Sequence, residues 1–161
     1  MKLAFKSGAL VPVVLMLPNV AWMVFFDMRA VPRVSVPAAL SLAENASRVA
    51  VLALPFFYAL DVKKQYSPLA IAGTASALTL YYAAWARFFL GGGSTELLSA
   101  PLWGIPGPLA LAPVALLICS SYLMGSWWMF GASLSFGALH VWSSSLMSSQ
   151  TSWLTPLLSS S

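Results

Sequence analysis

The chain has 161 residues, of which 60% are hydrophobic and only 7% charged, against roughly 25% charged in an ordinary soluble domain, and that deficit excludes a water-soluble globule. At roughly 20 apolar residues per bilayer crossing, this length is filled by five or six helices, so the expectation is one membrane-embedded domain spanning residues 1–161, without a separate soluble domain. The net charge of +4 comes from eight Lys and Arg scattered between apolar runs, which reads as topogenic charge and excludes the clustered basic stripe of a nucleic-acid binder.

Met1, Lys2 and Lys6 ahead of an apolar run imitate a signal peptide. Pro12, Pro18 and Asn19 interrupt that run, and no small-residue cleavage site follows, so it reads as an uncleaved first span over 8–26. Asp27 and Arg29 close it. Residues 30–41, with Pro32, Arg33 and Pro37, read as a connection lying partly in the interface.

The second span, 42–60, opens with Glu44, Asn45 and Arg48 and is closed by Asp61, Lys63, Lys64 and Gln65. The third, 68–90, is the cleanest apolar run, with Pro68 at a helix start, where its missing N–H is harmless. Gly91, Gly92 and Gly93 stop it, and 95–108 carries too much Pro and Gly for a helix. The fourth span, 109–124, and the fifth, 127–147, are separated only by Gly125 and Ser126, which predicts an antiparallel hairpin. The tail 148–161 is Ser-rich and uncharged; its Trp153, Leu154, Leu157 and Leu158 suit a place at the interface. The fold class is thus an all-α polytopic membrane bundle of about five transmembrane helices. Lys2, Lys6, Lys63 and Lys64 fall on one side of it, which favours N-in and C-out, and Trp and Tyr near the span ends fit interfacial anchoring.

In such a chain every ionisable residue near a span is a candidate site residue, because a charge in hydrocarbon needs a partner. Glu44 and Arg48 stand four apart and share one helix face. That pairing is either structural, or a site in which Arg48 holds an anion while Glu44 orients it or exchanges a proton. Arg87 sits among Tyr81, Tyr82, Trp85 and Phe88. It either snorkels beside an aromatic belt or faces inward toward a phosphate or carboxylate. His140, the only histidine, shares a small polar face with Ser133, Gly137 and Ser144. That face serves close helix packing, or makes His140 a proton carrier or ligand. The lone His140 and lone Cys119 offer no metal-ligand set, and no metal or cofactor is predicted. Cys119 reads as a small core residue, excluding an internal disulfide. No hydrolase, zincin, P-loop or dinucleotide fingerprint is present. No internal repeat of the inverted-transporter kind is visible.

Leu17-Pro18-Asn19, Glu44 with Arg48, Leu54-Pro55-Phe56-Phe57-Tyr58, Tyr81-Tyr82 through Trp85-Ala86-Arg87-Phe88-Phe89, Gly104-Ile105-Pro106-Gly107-Pro108 and Phe136-Gly137 followed by His140 together resemble a family of small bacterial integral membrane proteins with no assigned activity. The resemblance covers roughly residues 10–145. It implies a multi-pass protein of the bacterial inner membrane and assigns no catalytic residues. It also raises the inward-facing reading of Glu44, Arg48, Arg87 and His140. The translocator-protein family is similar in size alone, for its Trp- and Pro-rich first loop has no equivalent in 30–41.

The functional expectation is an interior polar cluster of Glu44, Arg48, Arg87 and His140, joined by Asn19 and Tyr58, that binds or transports a small anionic or zwitterionic ligand or a lipid headgroup. The alternatives are a membrane-embedded enzyme using His140 or Glu44 as acid–base on a lipid-like substrate, and an accessory subunit of a membrane complex. The Gly and Ser of the last helix also suit a homodimer.

Overall fold

The computed structural model of the chain describes residues 7–25, 36–94 and 96–158, the backbone alone at 96, 99 and 147–158. Among these residues the chain is all-helical. α1 spans Leu10–Phe25, α2 Ala38–Ala53, α3 Ser67–Leu90, α4 the single turn Glu96–Ser99, α5 Pro108–Met124 and α6 Trp127–Leu158. A 3-10 turn at Ser7–Ala9 leads into α1, and another at Leu54–Phe57 prolongs α2. Three segments are long and apolar enough to cross a bilayer, Ser7–Phe25, Ala38–Phe57 and Ser67–Leu90, and Pro108–Met124 is a shorter apolar helix.

The boundaries move where proline and serine act. The second helix starts at Ala38, inside the segment expected to be a connection, because Pro37 ends the extended stretch and no breaker follows it. Pro55 then lacks the N–H that would continue the α-helical ladder, so regular turns end at Ala53 and a 3-10 turn carries the chain to Phe57. The 95–108 connection is not wholly irregular, for α4 closes one turn and Leu102 pairs with Ile105. At the far end, residues 148–158 continue α6 instead of leaving it as a tail. No glycine follows Gly137 there, and serine disfavours a helix by only about 0.5 kcal/mol. Trp153, Leu154, Leu157 and Leu158, and the charges Lys2, Lys6, Asp27, Arg29 and Arg33, lie outside the described side chains.

α3 packs on α5, α5 on α6 and α6 on α2, while α1 lies across α2, α3 and α5 and closes the ring. α5 and α6 form the hairpin. Gly125 takes the left-handed conformation (φ 63°) that reverses the chain, and the Ser126 hydroxyl accepts the Met129 N–H to cap α6. One end of the bundle is tied by backbone contacts. The Gly8 N–H donates to the Tyr58 carbonyl, the Leu60 N–H to Ser7 Oγ and the Asp61 N–H to the Leu123 carbonyl. Lys64 Nζ caps the last carbonyls of α5 at Tyr122 and Leu123. Exposed Tyr66, Trp127 and Trp128 ring this end, and Phe25, Trp103 and Trp142 lie exposed toward the other. Trp85 departs from that pattern. It is buried against Trp22, Phe88 and Phe89, filling the core between α1 and α3.

Candidate functional site

Proline shapes the α1–α3 seam. Pro18 inside α1 offers no N–H to the carbonyl of Val14, and the Tyr82 hydroxyl from α3 donates to that carbonyl at 2.8 Å. One residue on, the Leu15 carbonyl accepts from the Tyr81 hydroxyl at 3.0 Å and from Asn19 Nδ2 at 3.1 Å, and Asn19 also donates to the Tyr81 oxygen at 2.7 Å. Asn19 therefore ties α1 to Tyr81 of α3, and its partners are not Glu44 or His140. Tyr82 alone meets the carbonyl that the proline leaves open, and the signal for it in the sequence is Pro18 itself, which announces an orphaned carbonyl four residues earlier.

Arg87 is likewise spent on backbone. Its Nη1 donates to the Pro101 carbonyl at 2.8 Å, and its Nη2 to the carbonyls of Ala100 at 2.6 Å and Leu97 at 3.2 Å. These carbonyls lie where α4 frays into the connection, so the fork of the guanidinium satisfies groups that no helix ladder can reach. Tyr58 follows the 3-10 turn at the end tied to Gly8, half-buried against the core. Fourteen residues separate it from Glu44, about 20 Å along the helix. The expected six-residue cluster is thus four separate arrangements.

The arrangement between α2 and α6 is the one built from ionisable side chains. Leu40, Glu44 and Val51 form the buried stripe of α2, so Glu44 faces the neighbouring helix with only 7% of its surface exposed. Arg48 follows one turn later, and its Nη2 lies 2.5 Å from Glu44 Oε1. From α6, His140 Nδ1 lies 2.8 Å from the same oxygen. The ring is held flat against Phe136, one turn earlier, with centroids 4.9 Å apart and planes at 14°. Ser143, buried one turn later, faces the same carboxylate.

Two residues of this site escaped the sequence reading. Ser144 was grouped with His140 at a spacing of four; the helix turns Ser143, at a spacing of three, onto Glu44 instead. Phe136 lies four residues before His140, the spacing at which helical side chains meet, and that was its signal. Gly137 and Ser133 face inward as expected. A Cβ on Gly137 would stand 2.6 Å from Val114 Cγ1, so α5 and α6 approach closely there.

A carboxylate that accepts from Arg48 also fixes the imidazole, since Nδ1 must be the donor toward it. Nε2 then points away from Glu44. Among the described residues Nε2 has no hydrogen-bond partner, and the His140 side chain is 21% exposed against 44% for Arg48. The site thus has a buried acidic centre and an open edge of nitrogen groups. Two apolar grooves lie elsewhere. One, of about 290 Å³, runs between Leu17, Pro18 and Phe89, and the other, of about 650 Å³, lies between Gly73, Cys119 and Trp103. Cys119 is half-buried there, a free thiol beside Gly73. No family model matches this chain, and no curated protein or solved structure is similar enough to count as a match.

Proposed function

We propose that the chain is a polytopic membrane protein that binds a small anionic or zwitterionic ligand, or a lipid headgroup, at the seam between α2 and α6. The observation that carries this reading is the buried carboxylate of Glu44, which positions two side chains from different helices while their remaining nitrogens face outward. Three apolar segments of spanning length support the membrane setting. Exposed aromatics toward both ends support it as well. The bonds of Ser7 and Gly8 to Tyr58 and Leu60 gather the first helix start and the Lys63–Lys64 connection at one end, which favours that end as the cytoplasmic one. The site opens sideways from one seam, which favours binding over passage from side to side.

A second reading is favoured by the Glu44–His140 contact. A carboxylate on Nδ1 that leaves Nε2 open is the arrangement of a general base, here aimed at a substrate that arrives from the bundle surface. Native mass spectrometry of the detergent-purified protein tests the binding reading. A retained small molecule should be present in the native protein and in Tyr58→Phe, and lost in Arg48→Gln and His140→Gln. Unchanged co-purification in both site variants would sink it.

A further inference from the structure

Resting on that reading, we infer that the occupant of the α2–α6 site is the phosphate of an anionic phospholipid, held from the leaflet nearest the Pro37 end of α2. The hydrogen-bonding groups left over at the site set its chemistry. Arginine carries five N–H donors, and Arg48 commits Nη2 to Glu44 and Nη1, at 3.4 Å, to Asn45 Oδ1. The rest are free to donate. Glu44 turns no acceptor outward, because Oε1 already receives both Arg48 and His140 and the residue is only 7% exposed. An incoming ammonium group finds no partner there. An incoming phosphate oxygen finds the Arg48 fork. This selects an anionic headgroup over a zwitterionic one, because the quaternary or primary amine of the latter has no counter-charge to meet.

The position of the site selects a lipid over a dissolved anion. Ala38–Phe57 is a 20-residue helical segment, about 30 Å long, which matches the hydrocarbon thickness of a bilayer. Glu44 lies six residues from its start, about 9 Å in, and thus within the third of the bilayer next to Pro37. The Arg48 side chain leans back toward that same end, as helical side chains do, and its long stem lets the guanidinium snorkel toward the surface. Beyond the opening, Leu42 (73% exposed) and Val49 (66%) on the outer face of α2 and Val141 (38%) on α6 offer apolar surface. A molecule with its phosphate on Arg48 and its chains along these side chains satisfies both halves of the site, which a bare anion does not.

The test uses the full chain in detergent micelles, incubated with phosphatidylglycerol or with phosphatidylcholine of the same acyl chains, and read by native mass spectrometry. Phosphatidylglycerol should be retained about tenfold better, the scale of one charge-assisted hydrogen bond. Arg48→Gln should remove the preference, and Arg48→Lys, which keeps the charge and loses the fork, should fall between. Lys63→Gln, a charge removed at the opposite end, should leave the preference intact, and millimolar glycerol phosphate should not displace the lipid. If glycerol phosphate binds alone and displaces phosphatidylglycerol, with both lost in Arg48→Gln, the ligand is a soluble anion; the lipid assignment falls and the binding reading stands. Equal retention of the two lipids in the native chain overturns the headgroup assignment. If no ligand of any kind responds to Arg48→Gln or His140→Gln in chains of native helicity by circular dichroism, the binding reading falls with it.

Discussion

Two seams of this bundle bury polar groups among apolar helices, and they do so for different reasons. Between α1 and α3, Asn19, Tyr81 and Tyr82 donate to carbonyls one turn before Pro18, and Tyr82 compensates the break the proline leaves in the backbone. Between α2 and α6, Glu44, Arg48 and His140 bond to one another, with no backbone gap behind them, and present nitrogens at the surface. A polar residue inside an apolar helix therefore marks a site only after the backbone around it has been accounted for. Arg87 teaches the same lesson, since three carbonyls claim it.

The largest effect expected from breaking either seam lies in the first. Trp85 is 5% exposed and packs against Trp22, Phe88 and Phe89 at centroid distances of 5.4–5.9 Å. Trp85→Ala should destabilise the detergent-solubilised protein by about 3–5 kcal/mol, seen as a lower melting temperature. If the seams are functionally separate, the ligand retained at low temperature stays unchanged. A loss of ligand in step with stability would show that they are one unit.

The second seam should yield less stability and all of the binding. Interhelical hydrogen bonds within membrane proteins average about 0.6 kcal/mol and reach about 2. Glu44→Gln and His140→Gln should therefore show a coupling of that size in a double-mutant cycle followed by thermal unfolding. Independent, additive effects would mean that the 2.8 Å contact does not hold the helices together.

How far these seams were legible in the sequence depends on which physical signal each left. Length and hydropathy announced the helices, and the breakers Gly91 to Gly93 and Gly125 marked true boundaries. The Glu44–Arg48 pair was readable from its spacing of four, because helical neighbours are local. That His140 joins it across 96 residues follows from the cost of leaving polar groups unpaired in apolar helices and not from any pairing signal, since a single sequence carries no record of which helices touch. Arg87, Asn19 and Tyr58 were drawn into the same cluster on polarity alone. Arg87 and Asn19 bond main-chain carbonyls, which are invisible in composition, and Tyr58 lies at the other end of its helix. The extension of α6 to Leu158 was missed because serine density resembles a loop, although nothing in 148–155 obliges a helix to stop.

Arg87 offers a smaller test. Arg87→Lys keeps one charge but cannot donate in a fork to the carbonyls of Leu97, Ala100 and Pro101. The 91–107 connection should open locally, with faster amide hydrogen exchange at about 1–2 kcal/mol less protection, while ligand retention at the α2–α6 seam remains as in the native chain. Loss of that ligand would return Arg87 to the site.

A single hydrogen bond gives the most discriminating test of the first seam. Pro18→Ala restores the N–H that α1 lacks, so the Val14 carbonyl regains a helical partner and no longer depends on Tyr82. Tyr82→Phe should then destabilise the Pro18→Ala chain less than the native one, by about 1 kcal/mol, the net worth of one such hydrogen bond. Tyr82 is 36% exposed, so removing its hydroxyl leaves no cavity and the cycle isolates the bond. An equal loss in both backgrounds would mean that the hydroxyl acts on something other than the carbonyl Pro18 leaves open, and Asn19 and Tyr81, bound one residue further on, would then return as candidates for a site of their own.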